Sequence, residues 1–526
     1  MKIFHTEALP ELNKAETLYV YNGLDTAITC EVFDGLRESL TPEALKTYQF
    51  VQSVSAPALE MMLRGMRIND NIKNELIYEL EAKQKKVQYV LNKLSIGCSG
   101  TLLNPNSPKQ LIAFFYTFLG LPEEFKFEKG KKVKTTNREA LEKLSIYLHA
   151  RPFINCILKL RDLTKLLGAL KYGVDEDRRM RFGFNVCGTE TGRWSSSKNI
   201  FDRGANYQNL TNDVKRIFCA DAGYKLAYID LEQAESRGVG ILAWAISNLS
   251  NYLDACESED LHTTVCRMVW QQDLPWTGDI FKDKKLAGAL YYRQFSYRDM
   301  AKRGGHGTNY YGLPSSMANI LKVSSRVMEN FQRAYFEAFP EIPLWHQNVA
   351  FKLQTERSLI TPFSRKRHFF GRPGDDTTLR EAIAHNPQSL VADYLNTQLH
   401  MAWKLEPDYT INSLPAFQLL GQVHDAIVIQ YQESHEAEIL QTLLDLFKTL
   451  SIPVRSEITS EVRDFQIPNS VEVGWTWAKL NKKEPGDNPD GLIEYNGFDR
   501  RNRTEFPPTG LLDREVSRVH RRHSLT

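Results

Sequence analysis

The sequence predicts an α+β protein, with a small group of strands built around two acids and set among many helices. Three observations point there. Residues 226–229 (Leu-Ala-Tyr-Ile) form a strand-like run that ends in Asp230, and helix-forming residues begin almost at once afterwards. Residues 421–431 carry two apolar, β-branched runs flanking His424-Asp425, the pattern of a hairpin with an acid at its turn. Most of the rest shows helical periodicity broken by turn-rich loops. An acid at the end of a buried strand is held rigidly. A pair of them, brought side by side, suits two Mg²⁺ ions about 3.5–4 Å apart, the arrangement that serves in-line phosphoryl displacement. Asp230 and Asp425 are expected to be that pair, as catalytic residues and as the metal ligands.

A chain of 526 residues is too long for one core, so two or more domains are expected. The net charge of +2 gives no whole-chain argument for a nucleic-acid partner; only local clusters can make one. Seven cysteines (Cys30, Cys98, Cys156, Cys187, Cys219, Cys256, Cys266) are odd in number and lack CxxC spacing. They read as buried thiols, excluding a disulfide framework and a zinc site. No apolar run reaches membrane-spanning length, and the first ten residues lack a signal-peptide core, so a cytoplasmic enzyme is expected.

In chain order, Tyr21 and Asp25 precede a helical pattern that runs to Leu40. Residues 43–95 read as helix with one break at 64–70, and the Lys- and Glu-rich stretch 81–86 fits a solvated face. Ser107 is placed to cap a helix with Pro108 at its first position. Lys126, Lys129, Lys131, Lys132 and Lys134 then make a basic loop. A clamp on a nucleic-acid backbone and a solvated surface loop fit it almost equally. Residues 151–172 predict a helix that pairs back along the earlier long one. Residues 189–197 and 206–209 are polar and turn-rich. Arg193, Asn206 and Gln208 there are side chains that read minor-groove acceptors, with an ordinary polar loop as the alternative. Asp260 caps a helix and puts His262 near its positive end, where phosphate can bind, with a satisfied surface histidine an equal alternative.

Arg298, Lys302, His306 and Tyr310 are spaced by four, so on an α-helix they drift by only about 40° per step. One face then presents two cations, an imidazole and a phenol, which suit a triphosphate and a base. Gly304, Gly305 and Gly307 each weaken such a helix by about 1 kcal/mol relative to Ala, so it must move or be approached closely. Further on come a helix over 325–339, a basic hairpin or loop over 361–374, and a helix over 380–399 bearing Gln388. An amphipathic helix over 434–450 and a strand-like run over 470–477 follow. Beyond Lys483 a basic, disordered tail is expected.

Together these stretches resemble the family A DNA polymerases, the group that includes bacterial DNA polymerase I and phage replicases. Residues 230–237 look like motif A, 298–312 like motif B and 423–425 like motif C, in the right order. The resemblance implies a right-hand polymerase fold with an antiparallel palm sheet, helical fingers and a helical thumb. It implies domains at 46–180 (thumb), 181–245 (first palm segment), 246–375 (fingers) and 376–483 (second palm segment), with the tail at 484–526. By the same likeness Arg298, Lys302 and His262 hold the triphosphate, and Lys302 also protonates the leaving pyrophosphate. Glu235 excludes a ribose 2′-OH, and Gln233, His306 and Tyr310 complete the nucleotide-binding set. Arg193, Asn206, Gln208, Gln388, His424, Lys129, Lys131 and Lys132 contact DNA. The chain departs from the family pattern in four places: Ala426 stands where Glu follows His-Asp, and His306 stands at an aromatic position. Tyr311-Gly312 falls one residue late, and Ala384 replaces an Asn.

The expected function is template-directed addition of deoxynucleotides to a primer 3′-OH, with two Mg²⁺ ions as cofactors and primer-template DNA and deoxynucleoside triphosphates as partners. The alternatives are a single-subunit RNA polymerase, against which Glu235 argues, and a non-catalytic DNA-binding paralogue. Tyr21 and Asp25 resemble the last motif of a 3′–5′ proofreading domain whose other acids lie earlier in the family. Residues 1–45 are therefore expected to be its remnant, with proofreading absent or supplied by a separate exonuclease chain.

Overall fold

The computed structural model describes residues 12–128, 130–258, 260–292, 294–481, 484, 486 and 488–497. The chain divides into two compact units. One comprises residues 56–232, 395–450 and 467–526, the other residues 1–55, 233–394 and 451–466. Two of the breaks between the units fall after Glu232 and inside the helix Asp376–Leu405. The reason lies in packing: the helix Ala234–Ser247, which follows Asp230 almost immediately, packs against the helix Glu341–Thr355 of its own unit.

The first of these units is organised on a five-stranded antiparallel sheet. Its spatial order is Phe417–Val423, Ala426–Gln432, Tyr224–Leu231, Asn469–Gly474, Ile493–Glu494. The strand Ala426–Gln432 is buried along its whole length and Tyr224–Leu231 nearly so, in keeping with the apolar runs at 426–429 and 226–229. Gly421 has a specific cause. A Cβ there would meet the ring and hydroxyl of Tyr207, which is fully buried against Trp477 and Phe182. The same unit holds the long helix Asp70–Ser99, laid along Arg151–Tyr172 as expected, with a core of Leu91, Phe115, Leu141, Ile154 and Ile157 beneath them. Ser107 accepts a bond from the Gln110 amide and so caps the helix that begins at Pro108.

The other unit is mainly helical. Leu261–Val269, Tyr297–Asn309 and Ser325–Ala338 pack on one another around Trp270, Tyr291, Tyr297 and Phe331. The α+β expectation therefore holds. Three local expectations are corrected. The basic loop is a two-stranded hairpin, Phe125–Glu128 with Lys131–Lys134, because Phe-Lys-Phe and Lys-Val-Lys alternate around Gly130 at φ 77°. Structured chain continues past 484: Ile493–Glu494 pairs with the sheet, and buried Asn488 donates to the Ala478 carbonyl. Residues 498–526 of the predicted tail lie outside the described residues. The cysteines are not uniformly buried, since Cys30, Cys98 and Cys187 are exposed. Among the described residues no helix is long and apolar enough to cross a membrane.

Candidate active site

Register brings the two acids together. In the antiparallel ladder Asp230 lies opposite Ala426 on one side and Ser470 on the other. Val423 pairs with Ala426, so His424-Asp425 is a two-residue turn, with His424 at φ 54° and exposed. The Leu231 amide donates to the Asp425 carbonyl at 3.0 Å, which fastens the turn beside Asp230. The Asp230 carboxyl is pushed up to about 6, first by burial and then by the charge of Asp425. Arg193 sets a guanidinium nitrogen 3.4 Å from Asp425 Oδ1. A carboxylate whose proton affinity its neighbour raises, beside a neighbour that already draws in a cation, forms an all-oxygen donor pair, which fits a hard divalent ion such as Mg²⁺. The pair has no third member: among the described residues no cluster of three or more metal-ligating side chains occurs, and Ala426 supplies nothing.

The surroundings include groups that sequence reasoning missed. Glu472 accepts from Lys479 at 2.8 Å, and both act on Asp230, Lys479 lowering its proton affinity and Glu472 raising it. Gln208 donates to Gln422 (3.0 Å), whose own amide donates to the His424 carbonyl (3.2 Å) and so braces the turn. Asn206 is occupied locally: its oxygen accepts from Ser196 Oγ and the Asn209 amide, shaping the turn over Tyr207–Asn209. On the basic hairpin Lys131 and Lys132 are exposed, with Lys132 over the Phe125 ring at 4.2 Å. Lys126 pairs with Glu128 and Lys134 with Glu123. Lys129 lies outside the described residues.

In the helical unit the predicted face exists. The helix Tyr297–Asn309 is opened by Ser296 in a capping box with Asp299, and Tyr310 is its C-cap. Gly304 answers the question its sequence raised: a Cβ there would stand 2.6 Å from the Phe331 ring, so the glycine permits close helix packing. Asn309 pins the far end, donating to Tyr252 OH (2.7 Å), accepting from Tyr335 OH (3.0 Å) and meeting His346 Nε2 through its carbonyl (2.8 Å). The Tyr310 hydroxyl donates to Glu235 Oε2 at 2.9 Å, and the His306 ring lies 4.8 Å from that of Tyr310. Tyr311, at φ 57°, turns away to meet His346 edge-on. Gln233, in a left-handed conformation ahead of Glu235, buries its Oε1 with no hydrogen-bond partner among the described residues.

Asp260 caps the helix Leu261–Val269 through the Thr263 amide and receives Arg298 at 3.1 Å on each oxygen. Burial alone would raise its carboxyl; bonds from Lys284, Thr263 and Arg298 hold it below the usual carboxylate range. His262 is lowered to about 4, chiefly by burial and then by Arg298 and Lys302, so its imidazole is neutral. A cavity of about 390 Å³ opens here, lined by Ser236, His262, Lys302, Arg303 and His306 among others. Gln388 is half-buried on Asp376–Leu405. Tyr21 and Asp25 are exposed on the helix Lys14–Ser39, which has no buried residue.

Comparison with known proteins accords with this geometry. Residues 71–474 match the family described as DNA polymerase family A. The thermostable DNA polymerase I of Thermus filiformis is 26% identical over 441 residues, covering 81% of this chain and 49% of the relative. The DNA polymerase of Escherichia phage T5 is 24% identical over 430 residues, covering 74% and 48%. The chain thus spans about half the length of the curated relatives it matches. Among solved structures, the POL domain of Pol1 from M. smegmatis, in complex with DNA primer-template and dNTP, aligns at a TM-score of 0.60 with 22% identity. That alignment covers 81% of this chain and 70% of the other, a likeness of fold.

Proposed function

The chain belongs to DNA polymerase family A, and on that premise we propose that it extends a primer 3′-OH with deoxynucleotides under the direction of a template strand. The observation that carries the proposal is the bond from the Leu231 amide to the Asp425 carbonyl, which seats the two half-buried acids on adjacent backbone. Two Mg²⁺ ions held between Asp230 and Asp425 would supply the charge neutralisation needed at the primer oxygen and the triphosphate. Arg298, Lys302 and neutral His262 bind the triphosphate, and Lys302 delivers a proton to the departing pyrophosphate. Glu235, kept in place by the Tyr310 hydroxyl, excludes a 2′-OH from the sugar position. That contact favours the deoxynucleotide reading over an RNA polymerase. Gln233 and His306 complete the nucleotide set.

The same proposal assigns Arg193, Asn206, Gln208, Gln388, His424, Lys131 and Lys132 to the DNA strands, residues 46–180 to a thumb and residues 246–375 to fingers. Primer extension with the wild-type protein and Asp425→Ala tests it. Extension should disappear in the variant while primer-template binding persists. Near-normal extension by Asp425→Ala would end the proposal.

A further inference from the structure

We propose that Lys284 is an additional triphosphate-binding residue, kept ready by Asp260 beside Arg298. The inference rests on the assignment of Arg298, Lys302 and His262 to the triphosphate. The helix Ile280–Ala287 carries Lys282, Lys284 and Lys285, all exposed. Lys284 is the one bonded to Asp260, with its Nζ 3.1 Å from Oδ2. Arg298 lies at the same distance from that oxygen. The two cations therefore share one acceptor atom and stand no more than about twice that distance apart.

The carboxylates here do not balance the cations. Lys302 and Arg298 both act on His262, two residues after Asp260, and Arg298 and Arg303 act on Asp299, so Lys284, Arg298, Lys302 and Arg303 outnumber the two acids, Asp260 and Asp299, that face them. Burial keeps His262 neutral, and the helix that Asp260 caps adds its positive end. A surplus of this kind, next to a cavity large enough for a phosphate chain, matches a ligand with three or four negative charges. Nucleoside triphosphate and pyrophosphate have that chemistry.

The position of Lys284 is built rather than fortuitous. Its neighbour Asp283 is fully buried and accepts from the Thr277 amide and hydroxyl (2.8 Å each) and the Gly278 amide (3.0 Å). It also accepts from Arg267 (3.3 Å), which lies on the helix capped by Asp260. The Lys284 helix is thereby fastened to the helix that carries His262. When a triphosphate arrives, Lys284 exchanges a carboxylate oxygen for a phosphate oxygen, and Asp260 keeps its Thr263 amide.

Single-turnover extension by one nucleotide separates the Kd for dNTP from the maximal rate. Lys284→Ala should raise that Kd about 3- to 10-fold, the range for a partly exposed charged contact, with the maximal rate changed less than about twofold. Lys284→Arg should restore most of the affinity, and Lys282→Ala should leave it unchanged. If Lys284→Ala leaves the dNTP Kd intact while Arg298→Ala raises it, the inference falls and the Arg298 assignment stands. If neither variant changes it, the assignment on which the inference rests falls as well. A loss confined to primer-template affinity, or an equal effect from Lys282→Ala, would also overturn it.

Discussion

Asp230→Asn should stabilise the metal-free protein at neutral pH while abolishing nucleotide addition. The Asp230 carboxyl is pushed from 3.8 to about 6 in the fold, by burial and then by Asp425. A raised folded pKa on an acid means that the fold disfavours its ionised form. Below pH 3.8 the group is protonated in both states and there is no penalty; the penalty grows from there and is complete above about 6. At 1.36 kcal/mol per unit the gap corresponds to a ceiling of about 3 kcal/mol. Solvent screening of an incompletely buried group leaves about 1–2 kcal/mol. Asparagine keeps the shape and removes the charge. Urea unfolding in chelator, followed by tryptophan fluorescence from pH 4 to pH 8, should show the wild type falling behind the variant between pH 4 and 6, with a constant difference above. Added Mg²⁺ should narrow the difference, because a cation bound between the carboxylates stabilises only the wild type. A variant less stable than wild type at pH 8 in chelator, or an equal gain from Mg²⁺ in both proteins, would refute the reasoning.

Glu235→Ala should raise the ratio of ribonucleotide to deoxynucleotide kcat/KM by on the order of 10- to 100-fold; competing extension assays measure it, and an unchanged ratio removes Glu235 from sugar selection. Gly304→Ala should lower the melting temperature, since forcing a methyl against Phe331 costs about 1–3 kcal/mol, more than the roughly 1 kcal/mol of helix propensity gained. A rise in melting temperature would show that Phe331 moves aside freely. His346 is lowered to about 4, chiefly by burial and against a bond to the Asn309 carbonyl that raises it. Its contribution is therefore complete above pH 6.5 and fades as pH falls toward 4, by up to about 3 kcal/mol. His346→Gln should flatten the stability curve over that window, and an unchanged slope would locate the acid sensitivity elsewhere.

What was readable in the chain depended on range. Strand and helix periodicity placed residues 226–229 inside Tyr224–Leu231 and matched Arg151–Tyr172 at both ends, because burial on one face writes itself into local pattern. Asp230 and Asp425 stood out because acids rarely end apolar runs. Ile493–Glu494 did not stand out: two residues among Gly, Asn and Pro carry no pattern, and only their pairing with Glu472 and Val473 across the sheet makes them a strand. That the Asn206 oxygen closes a turn was not readable, since an amide that closes a turn and one that faces solvent have the same letter. The pairing of Lys284 with Asp260 was unreadable for the same reason, as nothing in a run of lysines says which one is turned toward a distant acid.

The two-residue turn between Val423 and Ala426 also limits what kinds of mutation this locus can absorb. With Val423 paired to Ala426 the turn holds two residues, so adding or deleting one there would displace Asp425 from the contact with the Leu231 amide that holds it beside Asp230. His424 already occupies a left-handed conformation that leaves the connection no slack. Substitution around the acids leaves this hairpin intact, whereas a change in the length of the connection does not.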